Sequence, residues 1–287
     1  MGLPLNVDDT DLHPDLNELP APKKGWTAMT FSLINIELAK AMQRLSALAV
    51  FGSRASLPAE NVRAQIISET RVRIEEQLTH CNPVIPQQRL TLFCSRFLLR
   101  KLDFITRLQW VSLQRGGLRA DFATEDNLVE ALEILEPRLG TEDDLLKQFE
   151  WARRAYPQYH VTMYVLWHLC VKPEGPNIDR AWKAVDVLFS PELWDQSTIG
   201  FGSKLAVLTA LKTKALATRE KSQTENPGRN TAGRVEEYRS GAGGYPTGLL
   251  EDLRGEGLGF NFGGDEWPDW ITLTQSIHAD NDDVPWQ

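Results

Sequence analysis

From Thr27 onward the chain repeats apolar residues at three- and four-residue steps. Phe31, Ile34, Leu38, Ala41, Leu45 and Leu48 fall on one side, with Glu37, Lys40 and Arg44 on the others. That spacing predicts an amphipathic helix. Ser56-Leu57-Pro58-Ala59-Glu60 has the capping serine and early proline of a helix start, and Val62, Ile66, Ile74 and Leu78 supply the stripe that follows, as far as Asn82-Pro83. Gln87 to Gln114 is apolar on more than one side, from Leu90, Phe93 and Cys94 to Leu108 and Val111, which predicts a central helix ended by Gly116-Gly117. Two further starts stand at Thr124-Glu125-Asp126 and Thr141-Glu142-Asp143-Asp144, where a threonine precedes acids that favour the positive end of a helix dipole.

Pro157 interrupts the second of these. Beyond it, Val161 and then Tyr164 to Val171 form a nearly continuous apolar run, long enough to predict a buried helix rather than a strand. Pro173-Glu174-Gly175-Pro176 turns the chain, Asn177 is placed to cap the next helix, and Ile178, Ala181, Trp182, Val185 and Leu188 are its inward positions. A last helix covers roughly Ser203 to Arg219. Nothing in this body alternates with period two, so the predicted class is all-α, a bundle of about seven helices.

The flanks differ from this body. Pro4, Pro14, Pro20 and Pro22 forbid a long helix in residues 1–24, an extended lead-in to the helical domain of residues 25–220. After Lys221, 11 of the 20 glycines lie between Gly228 and Gly264 among few large apolar residues, so 221–264 reads as a disordered linker. Residues 265–287 close with Asp265-Glu266-Trp267-Pro268-Asp269-Trp270-Ile271 and Asp280-Asn281-Asp282-Asp283-Val284-Pro285-Trp286. Acids that keep bulky aromatics solvated are the composition of an activation segment offered to a coactivator groove, with Trp267, Asp269, Trp270 and Trp286 as its contacts. The alternative is an acidic terminus whose tryptophans pack back on the body.

Charge separates the same regions. From Lys221 onward 5 basic residues face 12 acidic ones, which accounts for −7 of the chain's net −8. A DNA-binding surface needs the opposite sign, so no direct nucleic-acid contact is expected. The opening residues carry no basic start followed by an apolar run, and Arg96, Arg100, Lys101, Asp103 and Arg107 break the most apolar stretch, so neither a secretory signal nor a membrane span is read. Cys81, Cys94 and Cys170 are odd in number and widely spaced, as buried thiols are, and no Cys-x-x-Cys or His-x-x-x-His pair exists to hold zinc.

Enzyme chemistry finds little support. Asp143-Asp144 is a diphosphate-site candidate spoiled by Lys147, and Arg254-Gly255-Glu256-Gly257-Leu258-Gly259 lacks the strand and helix of a phosphate loop. His160 and His168 suit a satisfied core better than catalysis. Arg96, Arg100 and Arg107 share one face of the central helix, where long arginines shield apolar surface while their heads stay wet. Lys212, Lys214, Arg219 and Lys221 form a diluted basic cluster that could serve nuclear import.

Two stretches carry a resemblance. Pro4-Leu5-Asn6-Val7-Asp8-Asp9-Thr10-Asp11 running into Gly25-Trp26-Thr27-Ala28-Met29-Thr30-Phe31 is one, and Trp167-His168-Leu169-Cys170-Val171-Lys172-Pro173-Glu174-Gly175-Pro176 before Asn177 to Trp182 is the other. With Glu150-Trp151 and Arg154 between them, they resemble the second half of the central regulatory domain of fungal zinc-cluster transcription factors, over roughly Leu3 to Arg219. The resemblance implies a nuclear regulator, in the context of a secondary-metabolite gene cluster, whose helical region restrains activation, helps dimerisation or senses an effector. Three scattered cysteines cannot build the six-cysteine head, so zinc is expected only if that head precedes this chain, and a truncated regulator is the expectation. Helices packed in such relatives against the other half of the domain would leave apolar surface for a homodimer. Its partners would be a coactivator or a full-length relative. The rival readings are a stand-alone helical protein that binds a small molecule or acts in a biosynthetic pathway, with a pocket near Trp110, Trp151, Tyr164, Trp167 and His168, and a decoy that pairs with full-length relatives.

Overall fold

The computed structural model describes residues 4–51, 60–115, 122–136, 143–149, 158–189 and 202–225. Among them are seven α-helices and no strand: α1 (Thr30–Phe51), α2 (Glu60–Leu78), α3 (Pro86–Arg115), α4 (Glu125–Leu135), α5 (Tyr159–Val171), α6 (Ile178–Leu188) and α7 (Gly202–Glu225). Short 3-10 turns stand at Asp9–Asp11 and Lys147–Phe149. The fold is all-α, as the period of the apolar residues predicts.

By contact the chain divides into two compact units, Met1–Leu118 with Glu133–Val161, and Arg119–Leu132 with Thr162–Gln287. The boundary falls inside α4 and inside α5. In the first unit α1, α2 and α3 pack on one another. Their core joins Ile34, Leu38, Ala41 and Leu45 to Ile66, Ile67, Ile74 and Leu78, and to Leu99, Leu102 and Trp110. Each buried leucine or isoleucine among them contributes about 1.5–3 kcal/mol of transfer free energy. The buried Arg63 beside it is satisfied: it is 4% exposed and pairs with Glu60 and Asp103, both at 2.7 Å.

The proline-rich lead-in is held down by Asn6. Its Nδ2 donates to the carbonyls of Lys23 (2.8 Å) and Gly25 (2.9 Å), and its Oδ1 accepts from the hydroxyls of Thr27 (2.7 Å) and Thr30 (3.2 Å). Asp8 adds a bond from the Ala28 amide at 3.0 Å, and Lys23 bridges Asp8 and Asp11. Thr27 and Thr30 in turn close the start of α1: Thr27 Oγ1 accepts from the Met29 amide and Thr30 Oγ1 from the Thr27 amide. Trp26 reaches α3, where its indole donates to Thr91 at 3.3 Å.

The second unit is organised around α5. All of residues 161–170 are buried, so this helix is covered on every side, as its continuous apolar run predicts. The Tyr164 hydroxyl donates to the Phe122 carbonyl at 2.7 Å, and the Cys170 thiol approaches the Leu211 carbonyl on α7 at 3.6 Å. On α6 the expected inward residues Ile178, Ala181, Trp182 and Val185 are buried, while Leu188 is half-buried.

Three local expectations need correction. The helix expected from Thr141 is, over residues 143–149, a turn followed by the 3-10 turn Lys147–Phe149. The Asp143 carboxylate accepts from the Leu145 amide at 3.1 Å and offers the backbone a non-helical partner. Asn177 stands at the N-cap of α6 but makes no capping bond with its side chain, which donates instead to Glu125 at 2.5 Å. Helix α7 continues past Arg219 to Glu225, through the first residues assigned to the linker. Ser56, Gly116-Gly117, the rest of the linker (226–264) and the tail (265–287) lie outside the described residues. Thr124 caps α4 as expected, accepting from the Asn127 amide at 3.2 Å.

Replacing Asn6 strips two carbonyls and two buried hydroxyls of their partner at once. Asn6→Ala is expected to cost about 2 kcal/mol, read as a lower urea midpoint at unchanged slope. An unchanged midpoint would show that the lead-in contributes nothing to the first unit.

Candidate functional site

In the first unit a groove of about 440 Å³ runs along one face of α3. Arg89, Phe93, Arg96, Phe97 and Arg100 recur at four- and three-residue steps, so they form a single stripe. Phe93 and Phe97 stack with centroids 6.1 Å apart and planes 11° from parallel. Ile134 and Glu133 close one side from the last turn of α4, and Asp143 and Leu146 come from the turn at 143–149. Beneath the stripe, Leu90, Cys94 and Leu146 form a small buried cluster with Phe31, Phe93 and Phe149 against it.

Each arginine has a carboxylate neighbour. Arg89 pairs with Asp143, Arg100 with Glu133, and Arg96 with both oxygens of Glu75 on α2 at 3.0 and 2.9 Å. The Arg96 guanidinium beside Glu75 holds that carboxyl below its ordinary range. The arginine side chains are 40–59% exposed, so these pairs stand at the rim in contact with water. The result is an apolar, aromatic floor edged by exchangeable charges. It suits an apolar or aromatic side chain.

The residues expected to form an effector pocket do not all come together. Tyr164, Trp167 and His168 cluster on α5, with Tyr164 centroids 5.8 Å from Trp167 and 6.1 Å from His168. All three are buried side chains of the second unit's core. Trp110 belongs to the core of the first unit, and Trp151 lies outside the described residues. In the same unit the turn after α5 is anchored on Glu125: its Oε1 accepts from Asn177, and a Cβ on Gly175 would stand 3.2 Å from its Oε2. Lys212 pairs with Asp186 at 3.6 Å and lies over the Phe189 ring, and Arg219 lies over Trp182. Lys212 and Arg219 of the basic cluster considered for nuclear import are thus engaged within this unit.

Burial also sets the chemistry of the sulfur and imidazole groups. The thiols of Cys94 and Cys170 are both pushed up to about 12 by burial, which makes them inert nucleophiles. Among the described residues no three His, Cys, Asp or Glu side chains gather to hold a metal. No helix among them is long and apolar enough to cross a membrane. The groove itself was not visible as a site in the sequence. Its floor was, as Phe93 and Phe97 beside Arg96 and Arg100, but Glu75, Glu133 and Asp143 come from 21 to 54 residues away.

The sequence is 28% identical over 202 residues to the transcriptional regulator AacuB of Aspergillus aculeatus, covering 68% of this chain and 27% of that protein. It is 24% identical over 191 residues to the aurofusarin cluster transcription factor aurR2 of Gibberella zeae, covering 65% of this chain and 28% of that one. The chain is similar to fungal transcription regulators. Both likenesses support a place among fungal transcription factors, and both relatives are named as regulators rather than enzymes. The chain spans about a quarter of the length of these relatives. No protein-family model matches the sequence, and no solved structure matches it.

His168 supplies a pH test of the second unit. It is 1% exposed, its Nδ1 has no hydrogen-bond partner, and burial holds its imidazole down at about 4, against the opposing pull of Glu125. The unfolded imidazole takes up a proton near 6.5, so the unfolded state gains protons first and stability is lost as pH falls from about 6.5 to about 4. Between pH 7.5 and pH 5 the native chain should lose about 2 kcal/mol more than His168→Gln, as measured by denaturant unfolding at each pH. Parallel losses in the two proteins would place His168 in contact with water.

Proposed function

We propose that this chain is a fungal transcription regulator of the zinc-cluster type, that it supplies the helical regulatory part, and that it works in the nucleus through protein contacts. The observation that carries this reading is the likeness to a named transcriptional regulator across two thirds of the chain. The second relative, named for the aurofusarin cluster, supports a role in controlling a secondary-metabolite gene cluster. Charge supports protein partners over DNA: the tail from Lys221 carries −7 and the rest is close to neutral, whereas phosphate contacts require a basic face. With three scattered cysteines, sequence-specific DNA reading would come from outside these 287 residues.

In this reading residues 265–287 activate, through Trp267, Asp269, Trp270 and Trp286, by presenting aromatics among acids to a coactivator groove. The test fuses the full chain to an unrelated DNA-binding domain and reads a reporter. Expression should rise well above that of the DNA-binding domain alone, and Trp267→Ala with Trp270→Ala and Trp286→Ala should remove most of the rise. A fusion that stays silent, beside an acidic activator that works, would overturn the proposal.

A further inference from the structure

We infer that Lys172 is an acceptor site for a protein modifier of the small ubiquitin-like class, joined through an isopeptide bond by a conjugating enzyme that reads Val171-Lys172-Pro173-Glu174 directly. Lysine is the residue that such modifiers take. An enzyme that chooses one lysine without a separate ligase needs marks beside it: an aliphatic residue just before, to pack at the mouth of its channel, and an acid two residues on, to pair with its cations. Of the chain's 11 lysines, Lys172 alone carries both marks. Lys101 also precedes an acid by two residues, but Arg100 stands before it and the whole segment lies inside α3.

The fold presents this tetrapeptide to solvent. A thioester carried by an enzyme must reach the amine, so an acceptor needs backbone outside a helix and an accessible side chain. Helix α5 ends at Val171, and residues 172–174 belong to no helix. Pro173 enforces that ending, because its ring disfavours helical backbone at the residue before it. Lys172 and Glu174 are exposed and Val171 is half-buried, so the lysine and its two marks all meet solvent. Among the described residues neither the Lys172 ammonium nor the Glu174 carboxylate makes an ion pair.

The segment is also held at both ends. The Lys172 amide donates to the His168 carbonyl at 2.8 Å, and downstream Asn177 donates to Glu125 at 2.5 Å. Anchoring of this kind limits the entropy lost when an enzyme grips the stretch between. A lysine here complements the negative end of the α5 dipole as well. That role asks nothing of residues 171 and 174, so it leaves the pattern unexplained. The chemistry needs no redox partner: Lys172 Nζ releases one proton to solvent and attacks the modifier's C-terminal carbonyl carbon, a C–N bond forms as the C–S bond to the enzyme's cysteine breaks, and the second proton leaves with the thiol. The acceptor site stands apart from the proposed function: a silent reporter would leave it intact.

The test incubates the purified full chain with small ubiquitin-like modifier, its activating and conjugating enzymes and ATP, without a ligase, and maps the branched peptides by mass spectrometry. One modifier should attach, at Lys172. Lys172→Arg should lower the total yield at least tenfold, and Glu174→Ala should lower it at least fivefold with the lysine still in place, both at unchanged helicity. Should Glu174→Ala lose helicity, Glu174→Gln must by itself show the fall. No adduct, adducts spread over other lysines, a Lys172 adduct indifferent to residue 174, or one formed only by ubiquitin and its own enzymes would each overturn the inference.

Discussion

Ten consecutive buried residues, 161–170, leave α5 no face for water, and this constraint orders the second unit. A helix covered all round must find an internal partner for each polar group it carries or keep that group uncharged. Tyr164 finds the Phe122 carbonyl and Cys170 the Leu211 carbonyl, while His168 stays neutral because burial disfavours its cation. The same covering makes Cys170 inert and turns Tyr164, Trp167 and His168 into packing.

The two stretches that carry the family resemblance are, in the structure, devices for folding. Asn6 ties a proline-rich strap to the start of α1, and Glu125 anchors the Gly175-Pro176-Asn177 turn where a larger residue than glycine would crowd its carboxylate. Neither belongs to the α3 groove. Likeness in these stretches therefore speaks to a shared scaffold.

The existence and type of the helices were legible because burial of one face imposes a period of 3.6 residues, as in α1 and α6, and burial of every face erases the polar positions, as in α5. What was not legible depends on partners distant in the chain. Asn6 gave no sign that its amide would reach Gly25, 19 residues on, and Thr141-Glu142-Asp143-Asp144 looked like a helix start because the acids that favour a helix's first turn also form Asx turns. The groove was half visible for the same reason: α3 supplies its arginines and phenylalanines at helical spacing, but its acids arrive from α2, α4 and the 143–149 turn.

In the proposed function this polypeptide recognises proteins and reads no base sequence of its own. Its most direct test is equilibrium binding of the purified full chain, after exposure to zinc, to labelled promoter DNA at about 150 mM salt, where non-specific phosphate contacts are largely suppressed. The account predicts no bound zinc after dialysis and no saturable preference for any duplex. Stoichiometric zinc together with tight binding to one sequence would contradict it.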